Sequence, residues 1–185
     1  MNSKGGLEMM VLRWIPLAAL LILITGCFYL IVEDGRFTKW QWVSLIAGYA
    51  YLIVVVWLCF YPAGMPFIPV GQKPLMYYNH VPYNLHPVQY LTIDWFENIL
   101  LTIPMGMITY LLHDRFSLGA MMIVALLPGI TIETIQMFAD LLVNLQRVVD
   151  IDDIITNWLG MMIGYGLMWC LARVGFRRII KAFEF

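Results

Sequence analysis

The chain has 185 residues, of which 62% are hydrophobic and only 12% charged, with a mean hydropathy of +0.79. That balance belongs to a polytopic membrane protein rather than to a soluble core, and it predicts one small helical domain. A net charge of −1 without any Lys/Arg block excludes a nucleic-acid binder and gives no strong electrostatic case for anionic lipid.

Crossing the hydrocarbon takes about 20 helical residues. Five apolar runs meet that length, roughly Met9 to Val32, Val43 to Tyr61, Ile93 to Leu112, Leu118 to Ala139 and Ile154 to Val174. The expected fold is all-α, a polytopic membrane bundle of about five transmembrane helices with a Pro-rich extracytoplasmic loop. Residues 1–62 hold two N-terminal spans, 63–92 the loop, 93–175 a three-helix core and 176–185 a basic C-terminal tail.

The first two spans are apolar nearly all round. Within the first, Ile24, Thr25, Gly26 and Cys27 resemble a bacterial lipobox, yet the apolar run continues from Phe28 to Val32, which suits a spanning helix better than a cleavage site. Cys27, Cys59 and Cys170 all lie in apolar runs, where cysteine behaves as a small hydrophobe; a disulfide framework or a zinc site needs a different spacing. The connection from Pro62 to Thr92 carries six of the nine prolines, which excludes a continuous helix and predicts a capping loop or a re-entrant segment. His80 and His86 in this loop read as surface residues before they read as metal ligands. Trp40, Trp42, Tyr61, Tyr90 and Trp95 stand at predicted span ends, as amphipathic rings do at the membrane interface.

The last three spans carry the polar residues. The third opens with Asp94, Glu97 and Asn98, and spacing of four puts Asp94 and Asn98 on one face. The fourth, with Pro128 and Gly129 as a kink site, ends with Glu133, Gln136 and Asp140 on one stripe. At the entrance to the fifth, RVVDIDDIITNWLG brings Asp150, Asp153, Asn157, Gly160 and Gly164 within an arc of about 80°, with Arg147 beside them and Asp152 off that face. A charge near the bilayer centre costs about 2.5 to 3.5 kcal/mol on insertion scales, so such carboxylates face a cavity or a partner. Packing explains part of the pattern: amides between membrane helices serve as glue, and Gly160 with Gly164 is a close-packing pair. Asp140, Asp152 and Arg147 also fit a solvated interface. Three helices with polar stripes at one depth favour a functional pocket.

Lys and Arg in the short loops set the orientation. With the N-terminus outside, Arg36, Lys39, Arg115, Arg173, Arg177, Arg178 and Lys181 are cytoplasmic, against Lys4, Arg13, Lys73 and Arg147 outside. The expected topology is N-terminus out and C-terminus in, with the Pro-rich loop and the polar cluster on the extracytoplasmic side.

The segment from Val81 to Gly166 resembles the VanZ-like family. The resemblance is carried by Asn84, Leu85, His86 and Pro87, by Asn98 and Gly106 in ENILLTIPMG, by Glu133 and Gln136 in IETIQMF, and by Arg147, Asp150, Asp153, Asn157 and Gly160. His86 stands where the family more often has an apolar residue, and Val149 where it has an aromatic. The resemblance implies a multi-pass protein of the bacterial cell membrane, linked in its namesake to low-level resistance against teicoplanin-type glycopeptides. It also implies membership of a broad group that processes lipid head groups or polyprenyl-linked wall precursors. The partner implied is a membrane lipid or lipid-linked wall precursor; no cofactor and no oligomeric state are implied.

Chemistry on such a substrate needs an anion binder and groups that move protons. Arg147 suits bidentate phosphate contact. Asp150 and Asp153, with Glu133 across the interface, form the acid and base set, because crowded carboxylates share protons. Asn98, Gln136 and Asn157 orient substrate, and the resemblance adds Asn84 and His86 to the binding set. A divalent cation on the same carboxylates is chemically sensible. A non-enzymatic binder that shields a wall precursor or lipopeptide would use the same pocket. A transporter lacks support, since the inner halves of the helices are apolar and no inverted repeat is visible. No H-E-x-x-H, G-x-S-x-G or Gly-rich phosphate loop occurs.

Overall fold

A computed structural model of the chain describes residues 10–62, 75–88 and 93–185. Among these, five helices are long and apolar enough to cross a membrane: Met10–Asp34, Lys39–Phe60, Ile93–Leu112, Leu118–Val143 and Ile151–Phe183. The chain is an all-α polytopic bundle, built from α1 (Ile15–Asp34), α2 (Lys39–Phe60), α3 (Ile93–Leu112), α4 (Leu118–Val143), α5 (Ile151–Leu171) and a short α6 (Arg177–Phe183).

Helix boundaries follow capping chemistry rather than hydropathy. Pro16 lies in the first turn of α1, where a missing N–H costs nothing. Thr38 and Gln41 form a capping box at the start of α2, with Gln41 N donating to Thr38 Oγ1 at 3.3 Å and Thr38 N to Gln41 Oε1 at 2.9 Å. Ser117 caps α4, which ends on Asn144 in the left-handed region at φ 55°. α5 begins at Ile151, ahead of the expected Ile154, because Asp150 accepts the Asp152 N–H at 2.9 Å as N-cap. Asp152 and Asp153 then occupy the first turn, where the helix dipole favours negative charge. At its far end α5 breaks at Gly175, φ 112°, and continues as α6. The basic tail is therefore helical and docked: Gln41 Nε2 donates to the Glu184 carbonyl at 2.8 Å and Ser44 Oγ to that of Phe183 at 3.0 Å.

Close helix approach is concentrated between α3 and α5. A methyl at Gly160 would collide with Thr102 Oγ1 and the Ile99 carbonyl, and one at Gly164 with the Ile103 carbonyl. Glycine lets the two backbones touch, as membrane helices do when small residues face each other. On the other flank Gly129 of α4 packs over Ile154 Cα. Tyr110, Met121, Ala125, Met161 and Tyr165 fill the core beneath. Much of α1 and α2 stays exposed in the monomer, including Ile22, Leu30, Ile46 and Val54, as lipid-facing helices require.

Part of the Pro-rich connection has regular structure. β1 (Met76–Tyr78) and β2 (Val81–Asn84) form an antiparallel hairpin turning at Asn79, and β3 (Val149–Asp150) joins β2 in parallel, pairing Tyr83 with Val149 and Asn84 with Asp150. Its expected capping or re-entrant character at residues 63–74 and 89–92, and the interfacial position of Tyr90, lie outside the described residues. His80 is a strut: its Nε2 lies 2.8 Å from the Asp140 carbonyl, tying the hairpin to the end of α4.

Candidate functional site

The end of the bundle that carries the hairpin encloses a cavity of about 710 Å³. Four helix ends and the hairpin meet there. The start of α3 supplies Asp94, Glu97 and Asn98; the last turns of α4 supply Glu133 and Gln136. From the α4–α5 connection and the first turns of α5 come Arg147, Asp150, Asp152, Asp153 and Asn157, and from β2 comes Asn84. His86 does not line the cavity; it is exposed beside it, its N–H donating to Asn84 Oδ1 at 3.0 Å.

Hydrogen bonds fix most of these side chains to one another. Asn84 Nδ2 reaches both oxygens of Asp150, at 3.0 and 3.1 Å, so the sheet pairing holds a side-chain pair as well as a backbone one. The Asp150 N–H donates to Glu133 Oε2 at 2.9 Å, joining α4 to the N-cap of α5. Asn98 Nδ2 donates to Asp153 Oδ1 at 2.7 Å across the α3–α5 seam. Asp153 and Asn157 are one turn apart on α5, and both face this seam and cavity. Glu133 is 3% exposed and Asn157 also 3%, so the inner wall is buried and polar. Asn157 Oδ1 has no hydrogen-bond partner among the described residues.

Three positions differ from the solvated interface that fits them in sequence. Asp152 is buried, accepts the Val88 N–H at 2.8 Å and reaches the cavity wall. Helix starts place successive acidic residues on different sides, and Val88 closes over the one that points away. Asp140 is 1% exposed and accepts the Gln146 N–H, closing the turn after α4; it does not line the cavity. Arg147 Nη2 donates to the carbonyls of Leu58 and Tyr61, both at 3.0 Å. Its charge sits at the wall, but the two-point grip on phosphate anticipated for it is spent on the exposed carbonyls at the C-terminal end of α2.

The contribution of α2 to the chamber has no counterpart in the sequence pattern. Leu58 and Cys59 line the cavity, and Gln136 Nε2 donates to the Cys59 carbonyl at 2.8 Å. A carbonyl contribution leaves no mark in side-chain identity, so an apolar helix end gave no signal. Cys27, Cys59 and Cys170 are free thiols. Among the described residues no group of three or more His, Cys, Asp and Glu is arranged to hold a metal ion. Glu133, Asp150, Asp152 and Asp153 are tied individually to amides and backbone N–H groups instead.

Fold and cavity together define a multi-pass helical membrane protein with an acidic chamber at one end. The VanZ/LLP1 family matches residues 48–173, and the chain belongs to that family. The match starts inside α2, so it includes the helix end that closes the cavity around Arg147. No curated protein and no solved structure matches the chain.

Proposed function

We propose that this VanZ-family protein takes the head group of a phosphate-linked membrane lipid or cell-wall precursor into its cavity and processes it by acid/base chemistry. The observation that carries this is the convergence of carboxylates and amides from α3, α4 and α5 on one chamber at a membrane-helix end. Polar groups at that depth are costly unless they have a ligand, water or each other. With the N-terminus outside, as the Lys/Arg distribution favours, the chamber opens toward the outer leaflet.

Asp153 and Glu133 are the proton-moving pair. Asp153 takes a proton from water as that water adds to phosphorus; the P–O bond to the leaving group breaks, and protonated Glu133 supplies the proton to the departing oxygen. Asp150 is a positioning residue, since its carboxylate is occupied by Asn84 and by the N–H of Asp152. Asn98 orients Asp153, and Asn157 and Gln136 face the substrate. Arg147 supplies positive charge at the wall. His86, beside the chamber, is assigned to its mouth.

A non-catalytic binder is the second reading. It is favoured by Asp150 and Asp152, whose oxygens are already committed to the fold. Expression of wild type, Asp153→Asn and Glu133→Gln in a susceptible bacterium separates the two. An enzyme predicts altered teicoplanin tolerance and an altered pool of lipid-linked precursors in wild type, both lost in each folded variant. A binder predicts tolerance without head-group release. Unchanged tolerance and an unchanged pool in wild type would remove both for these substrates.

A further inference from the structure

We propose that the group seated in the chamber is a primary ammonium, so that the head group this protein selects is amine-bearing. The inference rests on the head-group reading above and narrows it. Its basis is the balance of charge on the wall, together with one buried oxygen that no protein group among the described residues satisfies. Among the described lining residues stand six carboxylates, Asp94, Glu97, Glu133, Asp150, Asp152 and Asp153, against one cation, Arg147.

Arg147 does not offset that imbalance toward an anion. Both two-point edges of a guanidinium include Nη2, and Nη2 is spent on Leu58 and Tyr61. The wall amides are committed to the fold by at least one N–H each, Asn98 to Asp153, Gln136 to the Cys59 carbonyl and Asn84 to Asp150, while Trp95 Nε1 and Arg147 Nε are single N–H groups at the wall with no partner among the described residues. Against these lone N–H groups stand the oxygens of six carboxylates and of one buried amide. Asn157 Oδ1 is the clearest, an oxygen on a side chain 3% exposed at the chamber wall with no protein donor among the described residues. Asp94 and Glu97 add exposed carboxylates at the same chamber.

A ligand that completes this wall brings N–H or O–H groups together with positive charge. An alkylammonium brings three donors and one charge. A quaternary ammonium brings the charge without a donor, a polyol brings donors without the charge, and a bare phosphate brings neither. The ammonium of an amine-bearing lipid then sits among the carboxylates, with the adjoining phosphodiester within reach of Asp153 and Glu133.

The test is competition among three lipids that separate these properties. The purified full chain is equilibrated with mixed micelles holding equal phosphatidylethanolamine, phosphatidylcholine and phosphatidylglycerol, and retained lipid is read by native mass spectrometry. Wild type should retain phosphatidylethanolamine over each of the others by about tenfold, the worth of one charge-assisted hydrogen bond. Asp153→Asn should reduce that preference. So should the double variant Asp94→Asn, Glu97→Gln, which leaves every buried hydrogen bond of the site in place. Phosphatidylcholine bound as well as phosphatidylethanolamine would overturn the requirement for donors, and phosphatidylglycerol bound as well would overturn the requirement for charge; either sinks the proposal. If all three are retained equally and Asp153→Asn lowers all of them, the head-group reading stands and the amine is wrong. If no lipid is retained, both fail.

Discussion

Gly164 and Gly166 lie two residues apart on α5, yet the same substitution should move stability in opposite directions. A methyl at Gly164 meets the Ile103 carbonyl, with Ile103 C at 2.9 Å and Met107 N at 3.1 Å behind it. All three are backbone atoms of α3, so no rotamer change relieves the clash and the two helices must part. Overpacking of this kind costs about 1–3 kcal/mol. At Gly166 nothing lies within 4 Å, and alanine there gains helix propensity, about 0.8–1 kcal/mol. Gly164→Ala and Gly166→Ala should therefore differ by about 2–4 kcal/mol in unfolding free energy. Equilibrium unfolding in mixed detergent and dodecyl sulfate micelles, followed by circular dichroism, measures the difference. Because the Asn98–Asp153 bond spans the same seam, Gly164→Ala should also loosen the chamber and lower lipid retention. Equal stability of the two variants would refute the backbone contact between α3 and α5.

Arg147→Lys keeps the charge but loses the planar group that bridges two carbonyls; it should cost about 1.5–3 kcal/mol of stability, read in the same unfolding assay, and any loss of lipid binding should track that loss. Asp114 lies between α3 and α4, outside the spans, and the Arg177 guanidinium, 2.7 Å away, holds its carboxyl below the ordinary value of 3.8. Its folded value is the lower one, so the contribution is fully present above pH 3.8 and disappears as pH falls through the depressed value; Asp114→Asn should flatten that acid limb in a pH series of melting temperatures. A cysteine at Asn79, on the hairpin turn, should react with an impermeant thiol reagent from outside intact cells, while a reporter after Phe185 stays cytoplasmic; labelling only after lysis would reverse the topology.

Hydropathy located every span because a membrane helix must be long and apolar, and length in residues translates directly into thickness. The exact ends were not legible in apolarity. α5 starts at Ile151 because Asp150 caps it, and α4 runs on to Val143 because its C-cap is Asn144. Helical periodicity could bring Asp150, Asp153 and Asn157 to one side of one helix, and stripes on α3 and α4 could be matched to it by depth. What periodicity could not reveal is how neighbours consume these groups. Arg147 is bound by carbonyls of a helix whose side chains are bland, and Asp140 turns inward to a loop N–H rather than toward the chamber. The sheet pairing of Asn84 with Asp150 joins residues 66 apart in a segment where proline density hides any strand pattern.

Site-specific capture shows whether the chamber holds a lipid head group. A photoreactive diazirine residue replaces Leu101, which lines the chamber, or Ile123, which is 68% exposed on the lipid-facing side of α4. Irradiation follows detergent purification, and adducts are identified by mass spectrometry. A phosphate-containing lipid adduct is expected at position 101, abolished by Asp153→Asn, with little or none at 123. Equal capture at both positions, or an adduct at 101 indifferent to Asp153, would contradict head-group binding there.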